Sequence, residues 1–223
     1  MIGASGGIGH ALLQALQHSP AFSQVIGLGR RTLPALDLLD ESSIQSAAAD
    51  IAARGAPLRL LIDATGFLHD SHIKPERSWR DLNAAQMSQV FAINAVGPAL
   101  LMKHFLPILP REGKSVFASL SAKVGSIGDN RLGGWYSYRA SKAALNQFVK
   151  TAAVELHRHN PAALCVALHP GTVDTPLSRP FAKTGLDVRQ PDTAADQLLK
   201  VLDQLSVGDS GGFYASTGGS LPW

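Results

Sequence analysis

At 223 residues, 45% of them apolar and 17% charged, the chain is long enough for a sizeable core and too apolar for a disordered segment. Its formal net charge of +3 comes without a long Lys/Arg run, so no nucleic-acid partner is expected. The single cysteine, Cys165, rules out an internal disulfide, suits a reducing cytoplasm and is expected as a buried core thiol.

Met1 to Gly9 has neither a charged start nor a long apolar run, so no signal peptide is expected. Gly3-Ala4-Ser5-Gly6-Gly7-Ile8-Gly9 leads into Ile8, Ala11, Leu12, Ala15 and Leu16 at helical spacing, closed by Pro20. A glycine turn entering a helix brings backbone N–H groups close to a phosphate. A dinucleotide fold normally has a buried strand before this turn. Only Met1 and Ile2 precede Gly3, so that first strand is expected to be truncated or nearly absent.

Short apolar strands are predicted over 25–28, ahead of Gly29-Arg30-Arg31, and over 36–39, near Asp37 and Asp40. A helix is predicted over 42–54, then a buried strand over 58–64 that enters the turn Thr65-Gly66. A polar loop runs to about Arg80 and a long helix spans 84–106. Pro98 should kink that helix, because proline removes one i to i−4 hydrogen bond. Its most apolar part, 99–109, is broken by Lys103, His104 and Pro107 and reads as too short for a bilayer, so a soluble protein with no membrane partner is expected. A strand over 114–120, a loop over 121–134 and a helix over 137–159 follow. The last elements are a strand over 163–168, a long loop over 169–190, a helix over 192–205 and a short strand over 212–215. Strand and helix alternate throughout without a linker or repeat, which predicts one α/β domain over 1–223, a Rossmann-like doubly wound parallel sheet.

Within the helix predicted from residue 137, Tyr138 and Lys142 stand four apart and so share a face. An ammonium beside a phenol favours the phenolate and is expected to lower its pKa from about 10, tuning it for proton transfer near neutral pH. Tyr136 has Ala140 four residues on and cannot play this part. The eight histidines form no His-Glu-x-x-His pattern, and His157 and His159 fall on different helical faces, so no metal site is expected.

Taken in order, these motifs resemble the short-chain dehydrogenase/reductase family. Gly125-Ser126-Ile127, Asp129-Asn130 and the run from Gly133 to Arg139 are most similar to its C-factor and sniffer-type carbonyl reductase branch. The resemblance implies a cofactor turn at Gly3, Ser5, Gly7, Ile8 and Gly9, with Ala64, Thr65 and Gly66 at a second turn beside it. Asp63-Ala64 stands where the family usually has Asn-Asn, which implies backbone rather than side-chain contact there. Arg30 and Arg31 stand where the family selects its cofactor, and arginines without an acid imply NADP(H) over NAD(H). Asp37 and Leu38 match positions flanking the adenine, and Pro170, Gly171, Thr172 and Val173 match the loop facing the nicotinamide. The stretch 176–190 is then expected as a mobile lid.

Tyr138 and Lys142 match the family's general acid/base and its partner, which also bonds the nicotinamide ribose. Asn94 matches the family's active-site asparagine, whose amide helps hold water linked to the lysine. The family's carbonyl-polarising serine falls on Ala122, so the neighbouring Ser121 is the candidate, with Ser126 as a second substitute. Dihydropteridine-reductase-like members work without that serine. The expected activity is hydride transfer between a nicotinamide and a small carbonyl or alcohol substrate, in a homodimer or homotetramer. A non-enzymatic signalling or scaffold protein on the same fold, or a dihydropteridine-like reductase, is the alternative.

Overall fold

The computed structural model describes residues 1–181 and 187–223. In chain order its elements are α1 (Gly7–His18), α2 (Glu41–Ala53), β1 (Leu60–Asp63), α3 (Ala84–Phe91), α4 (Gly97–Phe105), β2 (Ser115–Leu120), α5 (Tyr136–His159), β3 (Ala163–His169), β4 (Thr172–Val173), β5 (Val188–Arg189), α6 (Pro191–Gln204) and β6 (Phe213–Ala215). The sheet runs β1-β2-β3-β6 with every pair parallel, and β2 and β3 stay in register from Ser115 opposite Ala163 to Leu120 opposite Leu168.

Successive strand residues point to opposite faces, and the core divides accordingly. Leu61, Phe117, Cys165 and Ala167 pack on one side under α2, α4 and α5. Ile62, Val116, Ala118, Leu164, Val166 and Leu168 pack on the other under α1 and α6. Both faces of β2 are therefore covered, and all six of its residues are buried. This is the expected doubly wound parallel sheet. Cys165 is the expected buried thiol, and burial pushes its pKa up to about 12.

Ahead of the glycine turn, Ile2 takes the place of the first strand. Ile2 bridges Leu28 on one side and Asp63 on the other. Its N–H donates to Ile62 O at 2.9 Å and its carbonyl accepts from Ala64 N at 3.0 Å. Gly3 then turns out of the sheet at φ +77°.

Two predicted strands are corrected. Over 25–28 only Leu28 takes part in a bridge. Over 36–39 the chain turns instead: Asp37 Oδ1 accepts from Leu39 N at 3.0 Å and Asp37 O from Asp40 N at 3.1 Å. Asp40 then caps α2 by accepting from Ser42 N. Aspartate side chains offer the backbone local partners that compete with a sheet ladder.

The long helix departs from prediction as well. Its distortion begins before Pro98, in a π-helical turn over Ala92–Val96 between α3 and α4. The continuous helical run Ala84–Ile108 reaches 25 residues and holds an 18-residue window of mean hydropathy 1.3, so its length does match a bilayer span. Val90, Ala95, Leu101, Met102 and Phe105 bury against the sheet and neighbouring helices. Lys103 and His104 both reach Glu41 of α2, at 2.6 and 2.9 Å. The predicted loop 169–190 carries β4 and β5, which pair in parallel. Of the stretch expected as a lid, 182–186 lies outside the described residues.

Candidate active site

The C-terminal ends of β1, β2 and β3 meet the N-terminus of α1 and the first turns of α5 around a cavity of about 460 Å³. This is the sheet edge where open α/β folds bind ligands. Ser5, Gly7, Ile8, Gly9, Ala64, Thr65, Gly66, Ser121, Tyr138, Lys142 and Pro170, all candidates from the sequence, line it together.

The glycine turn is compact because side chains would not fit. A Cβ on Gly9 would lie 2.1 Å from Gly3 O, and one on Gly7 would lie 2.8 Å from Thr175 Cγ2. Helix α1 starts with no side-chain cap and no acid in its first turn. Its leading N–H groups therefore suit an anion. The second turn is fixed by Asp63, which is 1% exposed. Its carboxylate accepts from Thr65 N at 3.0 Å, Thr65 Oγ1 at 2.5 Å and Ser119 Oγ at 2.6 Å.

Asn94 is buried but lies behind the cavity. Its Oδ1 accepts from Phe67 N at 2.7 Å, and its Nδ2 donates to Phe67 O at 2.7 Å and to Ser141 Oγ at 3.2 Å. The amide is spent on clamping the Phe67 peptide, so it is not free for the water the resemblance implied. Pro98 offers no N–H to the Asn94 carbonyl four residues back.

Helix α5 begins after Trp135, whose backbone is left-handed at φ 52° and whose side chain supplies no cap. The cap comes from Glu76, 61 residues earlier. Its buried carboxylate accepts from Ser137 N at 3.1 Å and from Ser137 Oγ, and its carbonyl accepts from Trp135 N at 2.6 Å. This carboxylate at the positive end of the helix fixes the turn that carries Tyr138.

Lys142 Nζ donates to Leu120 O at 2.8 Å and lies 6.0 Å from the Tyr138 ring centroid. Burial lowers the Lys142 pKa to about 8, opposed in part by the buried Asp63 carboxylate. Burial raises that of Tyr138 to about 12. The expected lowering of the phenol is therefore corrected: the lysine's bond goes to Leu120, and desolvation of the buried phenol sets the direction.

Ser121 lines the cavity, while its hydroxyl donates to Asn146 Oδ1 at 2.6 Å. Ser126 is tied elsewhere, donating to Trp223 O at 3.2 Å and accepting from Asp129 N at 3.1 Å.

Several candidates do not line this cavity. Gly3 lies beneath it, and Arg30 and Arg31 are exposed beyond Leu28, with neither guanidinium paired among the described residues. Asp37 is held in its own turn, and Leu38 packs where a Cβ on Gly97 would lie, 2.8 Å away. Gly171 turns at φ 81°, Thr172 and Val173 form β4, and Val173 is buried. The sequence reading missed Gly6, Phe67, His69, Leu120, Thr175, Pro176 and Leu177. Gly6 and Thr175 stand inside motifs already recognised. His69 carried no local signal, because its contacts are remote: it meets Leu177 O at 3.1 Å and Phe181 ring-to-ring at 5.2 Å.

The family model for short chain dehydrogenases matches residues 1–185. The C-signal protein of Myxococcus xanthus is 35% identical over 143 residues, covering 64% of this chain and 82% of its own. The NADPH-bound carbonyl reductase from chicken fatty liver is 29% identical, superposes at a TM-score of 0.82 and aligns over 100% of this chain and 97% of its own. The Drosophila melanogaster carbonyl reductase Sniffer shares the fold at a TM-score of 0.85 and 23% identity, over 100% and 97% of the two chains. With residues 1–185 matched by the family model and a 35% identical relative in the C-signal protein, the chain belongs to the short-chain dehydrogenase/reductase family.

Proposed function

We propose that the chain is an NADPH-dependent carbonyl reductase in which Tyr138 protonates the substrate oxygen. The observation that carries this reading is the shared cavity of Tyr138, Lys142, Ser121 and the glycine turn. The residues fit the cofactor. The uncapped first turn of α1 offers its N–H groups to the phosphates, and the absence of side chains at Gly7 and Gly9 lets the turn close against Thr175 and Gly3. Arg30 and Arg31 accept the 2′-phosphate, and Lys142 bonds the ribose. Bound nicotinamide supplies the hydride.

The chain's own residues then handle the proton. With its pKa pushed up to about 12, Tyr138 holds its proton across the neutral range, as a donor to the substrate oxygen must. It gives that proton to the carbonyl oxygen as the carbon is reduced. Lys142, charged below about pH 8, stabilises the phenolate left behind. Asn94 acts from behind the cavity by holding the Phe67 peptide next to Gly66. The chicken enzyme's bound NADPH supports the choice of cofactor.

The protein pairs with itself in this reading, through the outer faces of α4 and α5. There Met102, Leu106, Phe148 and Ala152 line a groove of about 560 Å³, and Phe148 is 39% exposed.

The test is consumption of NADPH by purified protein with a panel of ketones, aldehydes, quinones and a quinonoid pterin. We expect turnover with at least one carbonyl class and a preference for NADPH over NADH. Replacing both Arg30 and Arg31 by Glu should weaken NADPH binding by about tenfold or more while sparing NADH, the worth of roughly one lost charge-assisted contact. Absence of turnover with every substrate and both cofactors would leave the signalling or scaffold reading in its place.

A further inference from the structure

Helix α5 carries three polar side chains at a spacing of four: Tyr138, Lys142 and Asn146. They lie on one face, successive turns apart. The first two line the cavity, and the third meets it through Ser121. Ser121 and Asn146 are 4% and 3% exposed, and their side chains are 2.6 Å apart.

In the arrangement described above, the serine spends its one proton on Asn146 Oδ1. Asn146 Nδ2 is meanwhile buried without a hydrogen-bond partner among the described residues. An unpaired buried amide donor is a rare and unfavourable feature. Turning the amide by half a rotation about Cβ–Cγ keeps the contact and reverses its direction. Nδ2 then donates to Ser121 Oγ, and the serine proton is released to the cavity. An amide oxygen takes the unpaired place of the nitrogen, and an unpaired buried oxygen is better tolerated than an unpaired N–H.

We propose that Asn146 is a positioning residue that holds Ser121 as a hydrogen-bond donor to the substrate's carbonyl oxygen. The need for such a device is local. Ala122, next in the chain, has no hydroxyl, and the hydroxyl of Ser126 is bonded to Trp223 O. This inference rests on the carbonyl reductase reading above.

The test compares kcat, KM and NADPH affinity for the wild type, Ser121→Ala, Asn146→Asp, Asn146→Ala and the double variant Ser121→Ala/Asn146→Asp. Asp keeps the shape of Asn but only accepts, so it locks the serine proton. Ala loses the contact but leaves the proton free. Ser121→Ala and Asn146→Asp should each lower kcat by about 10²-fold, the usual loss for one oxyanion donor, and Asn146→Ala by about tenfold or less. NADPH affinity stays at the wild-type level, and the double variant is no worse than Ser121→Ala alone. A packing role gives the opposite order, with Ala worse than Asp and the effects additive, and that result overturns the proposal. Should Asn146→Asp fail to fold, Ser121→Ala must still lose more kcat than Asn146→Ala, and the reverse order overturns the proposal. A wild type without reductase activity refutes the reading of the site, and this proposal falls with it. An active wild type with the reversed order refutes this proposal alone.

Discussion

Lys142 is a buried ammonium, 3% exposed, bonded to the Leu120 carbonyl and opposed in its desolvation by the buried Asp63 carboxylate. Its folded pKa of about 8 lies below its ordinary value of 10.5. Below pH 8 both folded and unfolded chains carry this proton, and folding bears the full cost of burying the charge. Between pH 8 and 10.5 the unfolded chain binds more proton than the folded one, so stability rises with pH across that window. Replacing Lys142 by Met should therefore stabilise the protein at pH 7, by at most about 3 kcal/mol at ~1.4 kcal/mol per pKa unit. The gain should fade by pH 10.5, read by urea melts at each pH. Loss of the Leu120 hydrogen bond trims the gain by about 1 kcal/mol. A variant less stable than wild type at pH 7 would show that the ammonium is well compensated where it lies. The Tyr138–Lys142 pair itself was legible in the sequence, because its spacing of four is local. The direction of the phenol's pKa was not, because it depends on burial. Asn146 was invisible for the same reason: its partner Ser121 lies 25 residues away along the chain.

The turns at the ends of elements do the positioning. Helix α5 has no cap of its own, and Glu76 supplies one from a distant loop. Glu76→Ala leaves Ser137 N–H and its hydroxyl without their partner and removes a negative charge from the helix's positive end. It should cost about 1–2 kcal/mol and speed amide exchange in the first turn of α5, with Glu76→Gln recovering part of the loss. Unchanged exchange at Tyr138 and Arg139 would count against the cap. Element by element, the sequence reading was right where burial is two-sided and long. The strands β2 and β3 and the helix α5 were read almost to the residue. It went wrong at 36–39, where Leu36, Leu38 and Leu39 mimic a strand but Asp37 and Asp40 close a turn. It also missed the pairing of β4 with β5, two residues each, which is set by tertiary contact rather than by pattern.

At the scale of the whole molecule, two helical layers bring the residue-level chemistry to one edge of the sheet. That edge could be located from the order of motifs, because parallel strands alternating with helices leave their C-terminal ends together. Ile2 joins Leu28 to Asp63 there and places Gly3 at the turn. The outer faces of α4 and α5 remain the apolar surface away from the site, and Phe148→Glu there should shift the protein toward monomer by light scattering without lowering kcat per chain. A monomeric wild type would dispose of the pairing.

The central claim is that Tyr138 supplies the proton in a nicotinamide-dependent reduction. The direct measurement is single-turnover oxidation of NADPH by a carbonyl substrate, wild type against Tyr138→Phe, with cofactor affinity measured on both. The account predicts a loss of about 10²- to 10⁴-fold in the reductive step with NADPH binding retained. Turnover by the Phe variant within about threefold of wild type, well short of what a lost general acid costs, would contradict it.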